Sequence, residues 1–174
     1  EAMYIRELYD TQMIPNDAYF SQSWHHPVVS TPDAWDIQTG SDTVVIAIID
    51  TGVDTDHPDL MGNLWNNPGE IADNFIDDDL NGRVDDIYGW DFTQNDADVN
   101  HEWNWHPYNA EDHGTHCAGI ASGVTNNLIG IAGASQNSKI MTCKIFPYLS
   151  DVAAANAIIY AADNGAHVIS NSWG

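Results

Sequence analysis

Three short runs of the chain are apolar on both faces, and the stretches between them carry helical periodicity or none. Residues 43–49 read Thr43-Val44-Val45-Ile46-Ala47-Ile48-Ile49, as expected of a buried parallel strand. Residues 139–146 predict a second strand and residues 167–172 a third. Residues 113–123 are small and apolar and predict a buried helix. Residues 153–164 predict another, capped by Ser150 or Asp151 and stopped by Gly165. An earlier helix is expected to open with Thr31 as N-cap and Pro32 in its first position, and to end by Gly40. Strands alternating with helices predict an α/β fold with a doubly wound parallel sheet. Three strands make an incomplete sheet, and the last would leave a bare edge of unpaired backbone. The expectation is that further protein covers it.

The organisation follows the same pattern. Residues 1–30 hold few periodic signals and several aromatics, so they read as an extended N-terminal arm lying on a body formed by residues 31–174. Residues 61–111 are rich in Asp, Asn, Gly and Trp and lack periodicity. Loops of that length are usually functional or stapled by metal.

Composition narrows the reading. A chain of 174 residues with 43% hydrophobic content is long enough for one domain with a real core. Four basic against 26 acidic residues give a net charge of −22, which excludes nucleic acid and an anionic membrane surface as partners. Asp outnumbers Glu by 21 to five. Short carboxylates crowded in loops suit calcium, and they equally suit the solvated surface of a salt-adapted protein. No apolar run approaches the roughly 20 residues that span a bilayer. The chain opens Glu1-Ala2-Met3-Tyr4, without a leader or initiator Met, and a processed, secreted (extracellular) chain is expected. Cys117 and Cys143, in a helix and a strand, are expected as buried free thiols.

The candidate chemistry sits at two element ends. The first apolar run delivers Asp50-Thr51-Gly52, and Asp112-His113-Gly114-Thr115-His116-Cys117-Ala118-Gly119 opens the small-residue helix. Active residues of such sheets cluster at the carboxyl ends of strands. An Asp there can orient a His that takes a proton from a serine hydroxyl, and these are two members of an Asp–His–Ser triad in that order. His116 is expected to face the packing side. A zinc hydrolase fails on spacing: His113 and His116 lie three apart, His101 and His106 are nearby, and the His-Glu-x-x-His glutamate is missing. Separately, Asp77-Asp78-Asp79-Leu80-Asn81-Gly82-Arg83-Val84-Asp85-Asp86 follows the start of an EF-hand-like calcium loop. It nominates Asp77, Asp79, Asn81, Asp85 and the Arg83 carbonyl as ligands, in an insertion at about residues 61–90. Its closing position is Tyr88 rather than Glu, and a solvated acidic turn is the bland alternative.

These motifs, with His57-Pro58-Asp59-Leu60 and Ser170-Asn171-Ser172-Trp173-Gly174, resemble the subtilisin-like serine proteases, or subtilases. Pro15-Asn16-Asp17-Ala18-Tyr19-Phe20-Ser21 and Val124-Thr125-Asn126-Asn127 are similar to the thermitase-like branch. The resemblance implies that Asp50 orients the imidazole and that His113 is the general base. It implies that Ser172, Trp173 and Gly174 pair with an extended polypeptide substrate and wall its first pocket. It implies a Ca2+ site built from Asp17, Asp59, Asn127 and the carbonyls of Val124, Ile129 and Ile131. It implies a second, at Asp91, Asp96 and Asp98. Two family features are missing. The Gly-Thr-Ser nucleophile segment and the oxyanion-hole Asn belong to a later stretch, and Asn171 lies too early to be that Asn. The substrate loop is shortened to Pro147-Tyr148-Leu149-Ser150-Asp151.

The expected function is therefore the N-terminal part of a subtilisin-like serine endopeptidase. The Ser would come from a C-terminal companion segment, either a second chain of a nicked enzyme or a continuation of this one. The competing class is a non-catalytic, subtilase-derived calcium-binding module.

Overall fold

The computed structural model describes residues 13–101 and 112–173. Its centre is a four-stranded, fully parallel sheet of β1 (Val45–Asp50), β2 (Gly89–Asp91), β3 (Lys139–Lys144) and β4 (Val168–Asn171), in the order β2-β3-β1-β4. All six residues of β1 are buried, which explains why its sequence shows no alternation. Helix α3 (His113–Ser122) covers one face, packing Ala118 with Ile46, Ile48 and Ile140. Helix α4 (Asp151–Asp163) covers the other, where Ala157, Tyr160 and Ala161 meet Ala47, Ile49 and Cys143. Helices on both faces make the sheet doubly wound.

The expected strands and long helices are present with small shifts. Ser150 caps α4, its hydroxyl accepting from Ala153 N at 3.1 Å. The helix α2 (Thr31–Trp35) starts one residue earlier than expected: Ser30, with φ of 55°, holds the N-cap position, and the helix ends at Trp35 rather than near Gly40. The fourth strand, β2, lies inside the Asp-rich stretch read as loop. Its backbone joins the sheet beside β3 through Gly89, whose φ of 128° puts a Cβ on the Thr142 carbonyl.

The described part of the arm is not extended throughout. It holds a 3-10 turn at Phe20–Gln22 and the short helix α1 (His25–Val28). Residues 1–12 lie outside the described part. The remainder is tied to the body by bonds that include Tyr19 N to Gly130 O, Asn126 N to Asp17, Asn16 N to Asn126 Oδ1, Leu128 N to Asn16 Oδ1 and His26 Nε2 to Ala132 O, and just beyond the arm Trp35 Nε1 donates to Ala134 O. His26 is fully buried among Phe20, His25 and Trp35, and burial holds its imidazole below the usual histidine value.

At the other side the sheet stays open. No β4 residue is buried, and Val168 is 52% exposed. Cys143 is buried and Cys117 half-buried, and both are free thiols. Among the described residues no helix is long and apolar enough to cross a membrane.

Candidate active site and metal-binding loops

Asp50 ends β1 and is 2% exposed; His113 begins α3 and keeps 43% of its side chain exposed. The helix N-terminus reaches the strand end because residue 114 is glycine. A Cβ on Gly114 would overlap the Gly52 carbonyl oxygen and lie 3.0 Å from Asp50 Cβ. Gly114 N donates to Thr51 Oγ1 at 2.9 Å, which pins the turn. His113 Nδ1 then sits 2.7 Å from Asp50 Oδ1, and the same oxygen accepts Thr51 N at 2.7 Å. A carboxylate can only accept, so Nδ1 carries the proton and Nε2 is left as the base. This is the tautomer that a serine hydroxyl needs.

Cys117, one turn along α3, brings Sγ to 3.8 Å from His113 Nδ1 and 4.0 Å from Nε2. Burial pushes its thiol pKa up, opposed by a hydrogen bond with Ser172. A catalytic cysteine needs the opposite, a thiol made more acidic, so Cys117 is a neighbour of the base and not a nucleophile. Ser172 and Trp173 leave β4 beside this pair, with Trp173 Nε1 donating to Ile49 O at 2.8 Å. Gly174 lies outside the described residues. His116 departs from expectation. It is exposed rather than packed and lines a cavity of about 440 Å³ with His57, Asp54, Asp112 and Tyr19, on the side of α3 away from Asp50. His106 lies outside the described residues.

Of the three acidic sets, the first has Asp17 and Asp59 both hydrogen-bonded to the loop that carries Asn126, Asn127 and Ile131. Asp59 Oδ1 accepts Asn127 Nδ2 at 2.7 Å, and Asp59 Oδ2 accepts Ile131 N at 2.8 Å. Val124 N donates to Asp59 O, and Ile129 N to Asn127 Oδ1. From the arm, Asp17 Oδ2 accepts Asn126 N at 2.9 Å, while Asp17 Oδ1 is buried with no hydrogen-bond partner. A buried carboxylate oxygen without a hydrogen-bond partner is the kind of group a hard cation takes.

The EF-hand-like set comes together in part. Asp77 and Asp79 converge to within 4.8 Å, and the third carboxylate there is Glu70. Asn81 N donates to both aspartates at 3.0 Å. Asp85 is a correction: its carboxylate turns to the backbone of Asn74 and Phe75, and only its N–H faces the cluster, donating to Glu70 Oε2 at 3.0 Å. Sequence reasoning missed Glu70, although it is the sole Glu in residues 61–90 and so was a visible oddity. The Arg83 guanidinium lies over Trp90, Phe92 and Tyr160 at 4.9, 4.7 and 5.4 Å from the ring centroids. Next to it, fully buried Asp86 accepts Tyr160 Oη at 2.6 Å and the amides of Asn67 and Asn81, fixing the loop to α4. Burial raises the Asp86 pKa.

The third set makes contacts within the protein. Asp91 is fully buried and its Oδ2 pairs with Lys144 Nζ at 2.9 Å. Its Oδ1 already accepts Thr93 N, Thr93 Oγ1 and Gln94 N. Asp96 and Asp98 cap their own turns, accepting Asp98 N and Asn100 N. Among the described residues these three carboxylates do not gather within 4.8 Å.

A buried aspartate thus orders a histidine at the carboxyl end of a parallel sheet. The chain belongs to the subtilase family: the Peptidase_S8 (subtilase) profile matches residues 41–174. It is 41% identical to thermitase from Thermoactinomyces vulgaris over 164 residues, covering 92% of this chain and 48% of that one. It is 36% identical to the halolysin-like extracellular serine protease Nep of Natrialba magadii over 171 residues, covering 95% and 27%. A solved protease from Pseudoalteromonas arctica superposes with a TM-score of 0.69 at 26% identity, covering 92% and 51%. This chain therefore spans between about a quarter and about half of the length of these relatives.

Proposed function

We propose that this chain is the N-terminal half of a secreted, calcium-stabilised serine endopeptidase. The observation that carries the reading is the 2.7 Å contact of buried Asp50 with His113 Nδ1, which leaves Nε2 as base on a partly exposed ring. His113 Nε2 takes the proton of the serine hydroxyl as Oγ bonds to the substrate carbonyl carbon. It returns that proton to the leaving amine as the peptide C–N bond breaks, leaving an acyl-enzyme. Water, deprotonated by the same nitrogen, then releases the acid. Asp50 stabilises the imidazolium formed at each step. The substrate is a polypeptide laid in extended form along Ser172, Trp173 and Gly174. The serine comes from a companion segment. The open β4 edge supports this reading, as does the span of about a quarter to about half of the relatives' length.

Calcium belongs to this proposal at two loops. Asp17, Asp59 and Asn127, with the carbonyls of Val124, Ile129 and Ile131, would clamp the arm to the body. Glu70, Asp77, Asp79 and Asn81, with the Arg83 carbonyl, would close the second loop. Bound calcium supplies a multivalent tie between segments far apart in sequence. Chelation of the native protein should lower its melting temperature by about 5–10 °C, read by calorimetry with and without EDTA. Asp59→Ala should remove most of that difference; a melt indifferent to EDTA counts against the sites.

The serine is tested by a fluorophosphonate probe on native material. Label is expected on a serine outside residues 1–174, on the same chain or an associated one. A folded 19.2 kDa monomer that takes no label would favour the non-catalytic module instead.

A further inference from the structure

We propose that the buried Asp91–Lys144 ion pair sets the electrostatic balance of the Asp50–His113 relay, with Lys144 as a positioning residue for it; the inference rests on the protease reading above. Its basis is a register. Asp50 on β1 is the Cα partner of Lys144 on β3, and Lys144 is the partner of Asp91 on β2. Side chains alternate along strands, so partners at one level of a parallel sheet stand on the same face. That face is the one under α3. Ile46 and Ile48 precede Asp50 by four and two residues and pack with Ala118; Ile140 precedes Lys144 by four and joins the same cluster.

Asp50, Lys144 and Asp91 thus stand in a row across three adjacent strands whose backbones lie about 4.8 Å apart. All three residues are buried, at 2%, 1% and 0% exposure for Asp50, Lys144 and Asp91. Buried charges are screened little by solvent, so each acts on its neighbours with force. Lys144 Nζ is drawn to the far side of the row by Asp91 Oδ2 at 2.9 Å. The backbone reinforces the row: Phe92 N donates to Lys144 O, and Ile145 N to Asp50 O.

The row meets the base through Asp50. Among the described residues, Asp50 and Cys117 touch His113 and Asp112 precedes it, while Lys144 and Asp91 follow Asp50 along the sheet register. A buried cation in this row repels positive charge at its end and a buried anion attracts it, so Lys144 and Asp91 act on the imidazolium of the proposed mechanism with opposite signs.

The two members of the pair then have opposite signatures, which packing damage cannot mimic. The experiment measures kcat/KM against pH for the whole protease, with the segment carrying the serine. Lys144→Met should move the acid limb up by about half a pH unit, and Asp91→Asn should move it down by a similar amount. Lys144→Arg, which keeps the charge, should leave it in place. Limbs that stay put in both neutral variants, or move the same way, overturn the proposal. Lys144→Met strands a buried carboxylate and is the variant at risk of not folding. Asp91→Asn then decides alone: a downward shift supports the proposal, and no shift or an upward one overturns it. A folded wild type without peptidase activity would sink the protease reading instead. The same two variants are then read by NMR titration of the His113 ring protons, with the same signs required.

Discussion

His113→Ala is expected to lower kcat by about 10⁶-fold and Asp50→Asn by about 10⁴-fold, both with KM nearly unchanged. The ranking follows from what each change removes. Without His113 the base beside Asp50 is gone, and burial pushes the pKa of the neighbouring Cys117 thiol up, away from that of a useful base. Asn at position 50 is subtler. One carboxylate oxygen, Oδ1, accepts both Thr51 N and His113 Nδ1. An amide oxygen placed there would keep both donors and the correct tautomer. What it cannot keep is the negative charge that stabilises the imidazolium in the transition state, so the loss is electrostatic. Steady-state kinetics on the whole protease checks both variants. A fall of less than tenfold in a folded His113→Ala protein would remove His113 from the mechanism.

The parts of the fold that the sequence made legible are those whose signal is local. Strand β1 shows as an unbroken apolar run because both of its faces are covered, and α4 shows through its Ser150 cap and Gly165 stop. Asp50 and His113 were legible because the strand end and helix start that hold them carry their own motifs. Strand β2 was not. Gly89-Trp90-Asp91 is too short for a period, and only its pairing with β3 makes it a strand. Asp91 shows the same limit in side-chain chemistry. A carboxylate in an Asp-rich stretch looks like a cation ligand until its partner is known, and Lys144 lies 53 positions away. Glu70 and Asp85 exchanged roles because the loop closes back on itself, which no spacing rule encodes. His116 was assigned to the packing side from its place in an apolar helix, yet that side borders a cavity. Local patterning fixed which elements form; partners across the sheet and across loops decided what the charged side chains do.

Two glycines of α3 give the sharpest test of how the fold sets the site. Both sit in a helix, where alanine is intrinsically better by about 1 kcal/mol. At Gly119 a Cβ would meet only Ile131 Cδ1 at 3.6 Å, an ordinary contact. Gly119→Ala should therefore raise stability slightly and leave kcat unchanged. At Gly114 a Cβ would overlap the Gly52 carbonyl oxygen and crowd Asp50 at 3.0 Å from Cβ and 3.3 Å from Oδ1. Neither neighbour yields easily, since Asp50 at the end of β1 and Gly52 just beyond it are both buried. The helix start must lift, breaking the Gly114 N bond to Thr51 Oγ1 and stretching the 2.7 Å contact of His113 with Asp50. Overpacking of this kind costs about 1–3 kcal/mol, and displacing a catalytic group by about 1 Å costs on the order of 100-fold in rate. Gly114→Ala should thus lose several degrees in melting temperature and about two orders of magnitude in kcat. Thermal melts and kinetics on the pair read both quantities. Equal behaviour of the two variants would mean that close approach of α3 to β1 does not set the Asp50–His113 geometry.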